Sequence, residues 1–230
     1  MIELGGGFLQ SDLATFFTAI GTSIPVVKAV SVLGATNSPG KDPDSDMEVA
    51  LDIEVAGAVA PSSTIVPYFA PNTDQGFIEA LSAAIHDETN HPDIISISWG
   101  AAEVAWTGQA LSAMDELFQT ATSLGISVFV AAGDDGANDN VSDGNAHVDF
   151  PASSPSVTAC GGTTMTDVSG VRVESCWNES ATGAGATGGG ISNVFPRPEY
   201  QQNISMPSNL GGSNEGRGLA RRQQVCEKIL

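Results

Sequence analysis

Positive charge is the scarcest feature of this sequence. The 230 residues contain 8 Lys+Arg against 27 Asp+Glu, which gives a formal net charge of -19. A phosphate backbone would be repelled by such a chain, so we expect no nucleic-acid partner. Charged residues make up only 15% and hydrophobic residues 41%, which excludes a disordered acidic tail and indicates a packed globular core.

Long hydrophobic runs and a signal peptide are missing as well. No apolar run approaches the roughly 20 residues that a helix needs to cross a bilayer, so we expect no membrane partner. The first seven residues read MIELGGG and lack the basic, then apolar, then small-residue pattern of a signal peptide. If the protein is exported, its signal is not expected in these residues.

Cysteine is rare, since the chain has only Cys160, Cys176 and Cys226 and no C-x-x-C pair. Three cysteines at these spacings indicate neither a disulfide framework nor a zinc site. We expect small buried thiols. The alternative is a single bridge, for which Cys160 and Cys176 are the favoured pair.

Apolar strand-like runs alternate with helical patterns through the first 136 residues. Strands are expected over residues 26–33, 64–69, 94–98 and 126–132, and helices from a Ser11 cap to Gly21 and over residues 47–59, 76–86 and 111–124. This alternation predicts an α/β fold with a mostly parallel twisted sheet and helices on both faces. Short strands between loops rich in Gly, Ser and Asn follow, including residues 157–160 and 170–174.

Glu48 and Asp52 are the most informative residues of the predicted second helix. They are four residues apart on one helix face, and no Lys or Arg lies within a turn of either. The face continues into Val55, Ala56 and Val59, which suggests partial burial and raised carboxyl pKa values. Such a pair can share a proton and act as a general base at low pH. A solvated acidic face is the alternative, and the spacing alone favours it.

Two loops lie at the carboxyl ends of predicted strands, where ligands of parallel α/β sheets bind. They are Ser98-Trp99-Gly100 and Gly133-Asp134-Asp135-Gly136. Asp134 follows an almost wholly apolar strand, so its carboxyl group can bind a metal, cap the next turn or, when protonated, donate to a developing oxyanion. On the residues alone these roles stay open, and capping is the simplest.

A calcium loop is suggested by the run Asp42-x-Asp44-x-Asp46, which begins like an EF-hand. The pattern then fails, because Met47 and Ile53 stand where Gly and Glu are required. Only a loose surface site is left as an alternative.

Motifs for nucleophilic catalysis and for dinucleotide binding are incomplete. There is no G-x-S-x-G elbow, and none of the three histidines lies in a recognisable triad context. The segment Gly21-Thr22-Ser23 is better interpreted as a helix-to-strand turn. The run Gly185-x-x-Gly188-Gly189-Gly190 lacks the βαβ context of a dinucleotide fingerprint.

A series of ordered blocks runs from Ile2 to Gly218. The blocks are Ile2-Glu3-Leu4-Gly5-Gly6-Gly7, residues 48–55, Tyr68-Phe69-Ala70-Pro71-Asn72-Thr73, Ile95-Ser96-Ile97-Ser98-Trp99-Gly100, Ala132-Gly133-Asp134, His147-Val148-Asp149-Phe150-Pro151-Ala152, Ala159-Cys160-Gly161-Gly162-Thr163 and Gly188-Gly189-Gly190. In this order they resemble the sedolisin family, the serine-carboxyl peptidases, and most closely its kumamolisin-like members.

The resemblance implies a subtilisin-like α/β fold and an endopeptidase that cleaves peptide bonds at acid pH. It implies that Glu48 is the general base, that Asp52 orients Glu48 and that Asp134 is a protonated acid lining the oxyanion hole. The three acids are then expected to converge around the nucleophile. The edge Ser98-Trp99-Gly100 corresponds to backbone that pairs with an extended polypeptide substrate. Carboxylates in place of histidine move the working range to acid, where Asp134 can stay neutral and donate.

The chain departs from the family pattern after Gly216-Arg217-Gly218. The family nucleophile belongs to a downstream G-T-S-x-x-x-P motif and the family calcium site to still later residues, so we expect neither here and no cofactor in this chain. The resemblance thus implies a partial catalytic domain, residues 1–218, truncated at both ends and without its prosegment. Residues 219–230 form a divergent tail that carries Arg221, Arg222 and Lys228.

We therefore expect this chain to lack the nucleophilic serine and to be inactive as it stands. By resemblance it is an extracellular protein that acts on polypeptides, and we expect a monomer. Two other hypotheses are a pseudo-enzyme that holds extended peptides along residues 98–100, and a fragment that folds poorly because strands that would cover its core are missing.

Overall fold

The computed structural model of the chain describes residues 1–206, 209, 211–212 and 214–219, which form two compact units. Unit 1 comprises Met1–Trp99 and Thr120–Ile126. Unit 2 comprises Gly100–Gln119 and the described residues from Ser127 onward. Each unit buries large hydrophobic side chains, so each has a core.

The α-helices of the described residues are α1 (Gln10–Ala19), α2 (Pro43–Val59), α3 (Asp74–Ile85) and α4 (Gly108–Ser123). Each overlaps a predicted helix, and α2 ends at the predicted Val59, whereas the other helix ends differ from the predicted ones. α2 begins before the predicted Met47, because Pro43 suits the first helical turn and two acidic residues there favour the helix N-terminus. The predicted Ser11 cap is wrong, since Ser11 lies inside α1 and its hydroxyl donates to Asp12 instead. No helix among the described residues is long and apolar enough to span a membrane.

The strands are short, and many have only two residues. In chain order they are β1 (Ile2–Glu3), β2 (Val26–Val27), β3 (Val30–Ser31), β4 (Thr64–Ile65), β5 (Tyr68–Phe69), β6 (Ile94–Ile97), β7 (Ala101–Ala102), β8 (Ser127–Ala131), β9 (Asp149–Phe150), β10 (Thr158–Cys160), β11 (Thr163–Val168), β12 (Val171–Cys176), β13 (Gly190–Pro196) and β14 (Gly216–Leu219). The predicted strands over residues 26–33 and 64–69 are each divided in two. Pro67 explains the break between β4 and β5, because proline has no N–H to donate to the hydrogen bonds between strands.

Unit 1 contains a parallel sheet with the strand order β6-β1-β5-β3. Ile2 pairs with Ile97 on one side and with Tyr68 on the other, and Tyr68 pairs in turn with Val30. A separate parallel pair joins β2 to β4. The predicted mostly parallel α/β architecture is confirmed.

One hydrophobic core cluster of unit 1 lies where α1 and α2 pack together. Its buried side chains are Leu13, Phe17, Val49, Ile53, Ile65 and Phe69. Gly57 of α2 faces the ring of Phe17, and a Cβ atom on Gly57 would lie 2.5 Å from Phe17 Cζ. This glycine therefore permits the close approach of the two helices that fixes α2 in unit 1.

Unit 2 pairs β8 with β10 in parallel and adds the antiparallel pairs β7–β9, β11–β12 and β13–β14. The Phe150 ring packs edge-on against Trp106 at 5.3 Å and stacks on Phe195 at 5.8 Å between ring centroids. Arg217 is buried, and its guanidinium donates to the carbonyls of Ala152 and Val157. These bonds attach β14 to the loop that follows β9.

The cysteine predictions need one correction. Cys160 carries a free and exposed thiol, so its predicted burial is wrong and it does not form the alternative bridge with Cys176. The side chains of β10 alternate between the two faces of the strand, and Cys160 ends it on the exposed face. Cys226 and the basic residues Arg221, Arg222 and Lys228 lie outside the described residues.

Phe17→Ala should lower the free energy of unfolding by about 3–5 kcal/mol, because it removes a fully buried ring from the core between α1 and α2. Urea unfolding measures this loss. Ile20→Ala is the control, since Ile20 is 45% exposed, and it should cost less than about 1 kcal/mol. Equal losses in the two variants would contradict the assigned core.

Candidate active site

Glu3 is the most deeply buried acid of unit 1. It ends β1, and its side chain is 0% exposed. The indole Nε1 of Trp99 donates to Glu3 Oε2 at 3.2 Å, while Oε1 has no hydrogen-bond partner. The sequence analysis did not identify Glu3 as a buried acid of the candidate site. The signal for it was a charged residue in the apolar start of the first family block.

Asp52 projects from α2 and is partly buried. The hydroxyl of Ser98, just beyond the end of β6, donates to Asp52 Oδ1 at 2.7 Å, and Oδ2 has no hydrogen-bond partner. Glu48 lies one turn earlier on α2 and is also partly buried. The partial burial expected for the pair is therefore found, but Val55 and Val59 do not cause it, since both are exposed.

Burial raises the pKa values of both acids that the Ser98-Trp99 segment contacts. Desolvation, with the charge of Asp52 as a second cause, raises the pKa of Glu3 to about 8. Desolvation also raises the pKa of Asp52, and the hydrogen bond from Ser98 opposes it. Unit 1 thus brings together two carboxyl groups that retain protons at a pH where exposed carboxylates are ionised.

Asp134 lies in unit 2, in the turn after β8. Desolvation, with the charge of Asp135 as a second cause, raises the pKa of the Asp134 carboxyl. The capping role is wrong, because the cap position of the following short helix is Asp135, which makes no side-chain cap bond. A carboxyl that keeps its proton in acid can donate a hydrogen bond. The convergence of Asp134 with Glu48 and Asp52 stays a prediction.

Asp134 belongs to a group of acids in unit 2, of which the sequence analysis marked Asp134 and its neighbour Asp135 but not Asp139 or Asp149. The acidic cluster consists of Asp134, Asp135, Asp139 and Asp149. Desolvation, followed by the charges of the other three, raises the pKa of Asp149 to about 8. Desolvation, followed by the charge of Asp135, raises the pKa of Asp139 to about 6. Asp149 Oδ1 and Asp139 Oδ2 are buried without hydrogen-bond partners.

Gly100 packs directly against one acid of this cluster. A Cβ atom on Gly100 would overlap Asp149 Oδ1 and lie 2.8 Å from Oδ2, so only glycine fits without displacing that carboxyl. Asp149 stands within a block that carries the family resemblance, and this was the available signal.

The acidic run from Asp42 to Asp46 lies at the start of α2 and forms hydrogen bonds within this segment and to Gly40. Asp42 is the residue before the helix, and its Oδ2 accepts from the Ser45 hydroxyl at 2.7 Å. Asp46 Oδ2 accepts from the Gly40 amide at 2.6 Å. Among the described residues, no group of three or more acidic, His or Cys side chains is arranged to hold a metal ion.

Comparison with known proteins places this geometry in a family. A profile of the Subtilase family matches residues 29–218. Kumamolisin from Bacillus sp. strain MN-32 is 49% identical over 222 residues, which are 95% of this chain and 40% of that protein. Tripeptidyl-peptidase sed5 from Aspergillus fumigatus is 36% identical over 211 residues, which are 84% of this chain and 36% of that protein.

A solved structure agrees with these sequence relatives. Pseudomonas sedolisin, a serine-carboxyl proteinase complexed with two molecules of pseudo-iodotyrostatin, superposes with a TM-score of 0.78 and 28% sequence identity. The superposition covers 95% of this chain and 62% of that chain.

The chain therefore belongs to the subtilase family, within its sedolisin branch of serine-carboxyl peptidases. The predicted subtilisin-like α/β fold and the predicted family are both confirmed. The chain spans 40% or less of the length of the curated relatives named above.

Raising the pH from about 4 to about 8 should lower the stability of this protein. The pKa of a carboxyl group in the unfolded chain is about 4. In the folded protein burial raises the pKa of Glu3 and Asp149 to about 8 and that of Asp139 to about 6. Between these values the folded state binds more protons than the unfolded state, so the free energy of unfolding falls as the pH rises. Thermal melts across this range measure the decline.

Asp149→Asn should make this decline shallower, because an amide cannot ionise inside the acidic cluster. Asp93→Asn is the matched control at an exposed carboxyl and should leave the slope unchanged. If Asp149→Asn keeps the wild-type slope, Asp149 does not bear the proton assigned to it.

Proposed function

We propose that this chain supplies the acid–base groups of a serine-type endopeptidase that works in acid. In this proposal Glu48 is the general base, Asp52 orients Glu48, and protonated Asp134 stabilises the oxyanion. The observation that carries the proposal is the partly buried Asp52 carboxyl, fixed by the Ser98 hydroxyl one helical turn from Glu48. Membership of the sedolisin branch supports it.

The proposed reaction is acyl transfer. Glu48 takes the proton of a serine hydroxyl while the serine oxygen bonds to the peptide carbonyl carbon. Asp134 donates a hydrogen bond to the resulting oxyanion. Collapse of the intermediate breaks the C–N bond, and the proton on Glu48 passes to the leaving amine. Water then hydrolyses the acyl ester by the same steps.

Glu3 and Trp99 support the orienting role of Asp52. Desolvation, with the charge of Asp52 as a second cause, raises the pKa of Glu3 to about 8, so Glu3 stays protonated in acid. The indole of Trp99 holds the Glu3 side chain in place. A neutral Glu3 leaves Asp52 free to stabilise a protonated Glu48 during the reaction.

No G-T-S-x-x-x-P motif occurs among the 230 residues, so we propose that they do not turn over substrate by themselves. A protein substrate incubated with this chain at about pH 4 should stay intact. Mass spectrometry of the mixture detects any cleavage. Reproducible new termini that disappear in Glu48→Gln would show that the chain has a nucleophile of its own.

Peptide binding without hydrolysis is the second candidate function. The side chains of Ser98 and Trp99 are engaged with Asp52 and Glu3, which favours use of their backbone by an extended peptide. Calorimetry should then give equal and weak affinities for a peptide aldehyde and its alcohol analogue, because no covalent adduct forms. A much tighter aldehyde would contradict this candidate.

A chimera tests the roles of the acids directly. It joins residues 2–218 of this chain to the parts of the Bacillus kumamolisin that lie outside the aligned segment. We expect peptide cleavage in acid, with kcat lowered about 10²–10³-fold by Asp134→Asn and about 10²–10⁴-fold by Glu48→Gln. Asp93→Asn is the control and should keep the full rate. A folded chimera without activity at any pH from about 3 to about 8 would overturn the proposed function.

A further inference from the structure

The sequence analysis assigned no chemical role to the glycine run near residue 185, and in unit 2 this run lies along the turn that carries Asp134. The amide of Ala186 donates to the carbonyl of Asp134 at 2.7 Å, and the amide of Gly188 donates to the carbonyl of Gly133 at 2.8 Å. The amide of Gly136 returns a bond to the carbonyl of Ala186 at 2.9 Å. Three backbone hydrogen bonds therefore bind this turn to residues 185–188, which we call the glycine clamp.

Two clamp positions leave no room for a side chain. A Cβ atom on Gly188 would overlap the carbonyl oxygen of Ala132 and lie 2.8 Å from its carbonyl carbon. A Cβ atom on Gly185 would lie 2.8 Å from the carbonyl oxygen of Asp134. These obstacles are backbone atoms, which cannot rotate away as a flexible side chain can. Gly188 and Gly185 thus approach two carbonyl groups of the segment around Asp134, those of Ala132 and Asp134.

Trp177 closes the opposite side of the clamp. The amide of Thr187 donates to the carbonyl of Trp177 at 3.1 Å, and the amide of Glu179 donates to the carbonyl of Gly185 at 2.8 Å. A Cβ atom on Gly185 would also lie 3.0 Å from the indole ring of Trp177. Because hydrogen bonds to Trp177 and Glu179 fix the clamp on this side, a methyl group added at Gly185 or Gly188 must displace the Asp134 turn.

We propose that Gly188, acting with the amide of Ala186, is a positioning residue that sets the Asp134 carboxyl at the end of β8. The inference rests on the proposed function only in treating Asp134 as the acid that donates to the oxyanion. Gly188 touches no reacting atom. Its part is to let the backbone of the clamp approach the Asp134 turn closely enough for both amides to bond.

Gly188→Ala tests the clamp through the titration of a single residue. The methyl group should push the turn outward, hydrate the Asp134 carboxyl and lower its pKa by about half a unit, which is a roughly threefold weaker proton affinity. NMR of carboxyl carbons measures this shift, with Asp134→Asn to assign the signal. The carboxyl of Asp87, in unit 1, should keep its titration midpoint. A merely global loss of stability would not move the Asp134 midpoint.

Gly108→Ala is the matched control. Gly108 has no heavy atom within 4 Å of its hypothetical Cβ and has no positive φ, so the added methyl should leave the Asp134 titration unchanged. If Gly188→Ala and Gly108→Ala titrate alike at Asp134, the clamp does not position this residue.

Hydrogen exchange of the unaltered chain provides a test that does not depend on the folding of a variant. The amides of Ala186 and Gly188 should be protected, because each donates to a carbonyl of the Asp134 turn. Exchange at the rate of unstructured residues would overturn the clamp. Both readouts are independent of peptide hydrolysis, so an inactive chimera with a shifted Asp134 titration in Gly188→Ala would reject the proposed function and retain the clamp.

Discussion

The removal of water from carboxyl groups is the constraint on which this protein depends. Glu3 and Asp149 are buried, and each has one oxygen without any hydrogen-bond partner. An ionised carboxylate in such a place loses its hydration without compensation, whereas a protonated one loses much less. The fold therefore prefers these two acids neutral, and this effect favours its stability in acid.

The two units hold their acids in different ways. In unit 1 side chains do so, since the Ser98 hydroxyl and the Trp99 indole bond to Asp52 and Glu3. In unit 2 the backbone does so, because the turn that carries Asp134 is held by amide bonds from residues 185–188. A side-chain contact orients a carboxyl group itself, while a backbone contact fixes the position from which it projects.

Local patterns in the sequence were reliable where the deciding interactions are local. The periodicity of α2 predicted a helix with Glu48 and Asp52 on one face, because a helix is formed by contacts three to four residues apart. The apolar run of β8 predicted that Asp134 follows a strand. The partial burial expected for this pair is found but has another cause, since Val55 and Val59 share that helix face and are exposed. Asp52 is partly buried and bonds instead to Ser98, 46 positions away in the chain.

The sequence by itself determined the alternation of helices and strands, the excess of acids and, through ordered blocks, the family. Only the tertiary structure decided which carboxyl groups lose water, and it singled out Glu3 and Asp149, to which the sequence analysis had assigned no role. The reason is that periodicity reports neighbours along the chain, whereas desolvation is a sum over all neighbours in space. Trp99 reaches Glu3 across 96 positions, and such a contact exists only once the chain has folded.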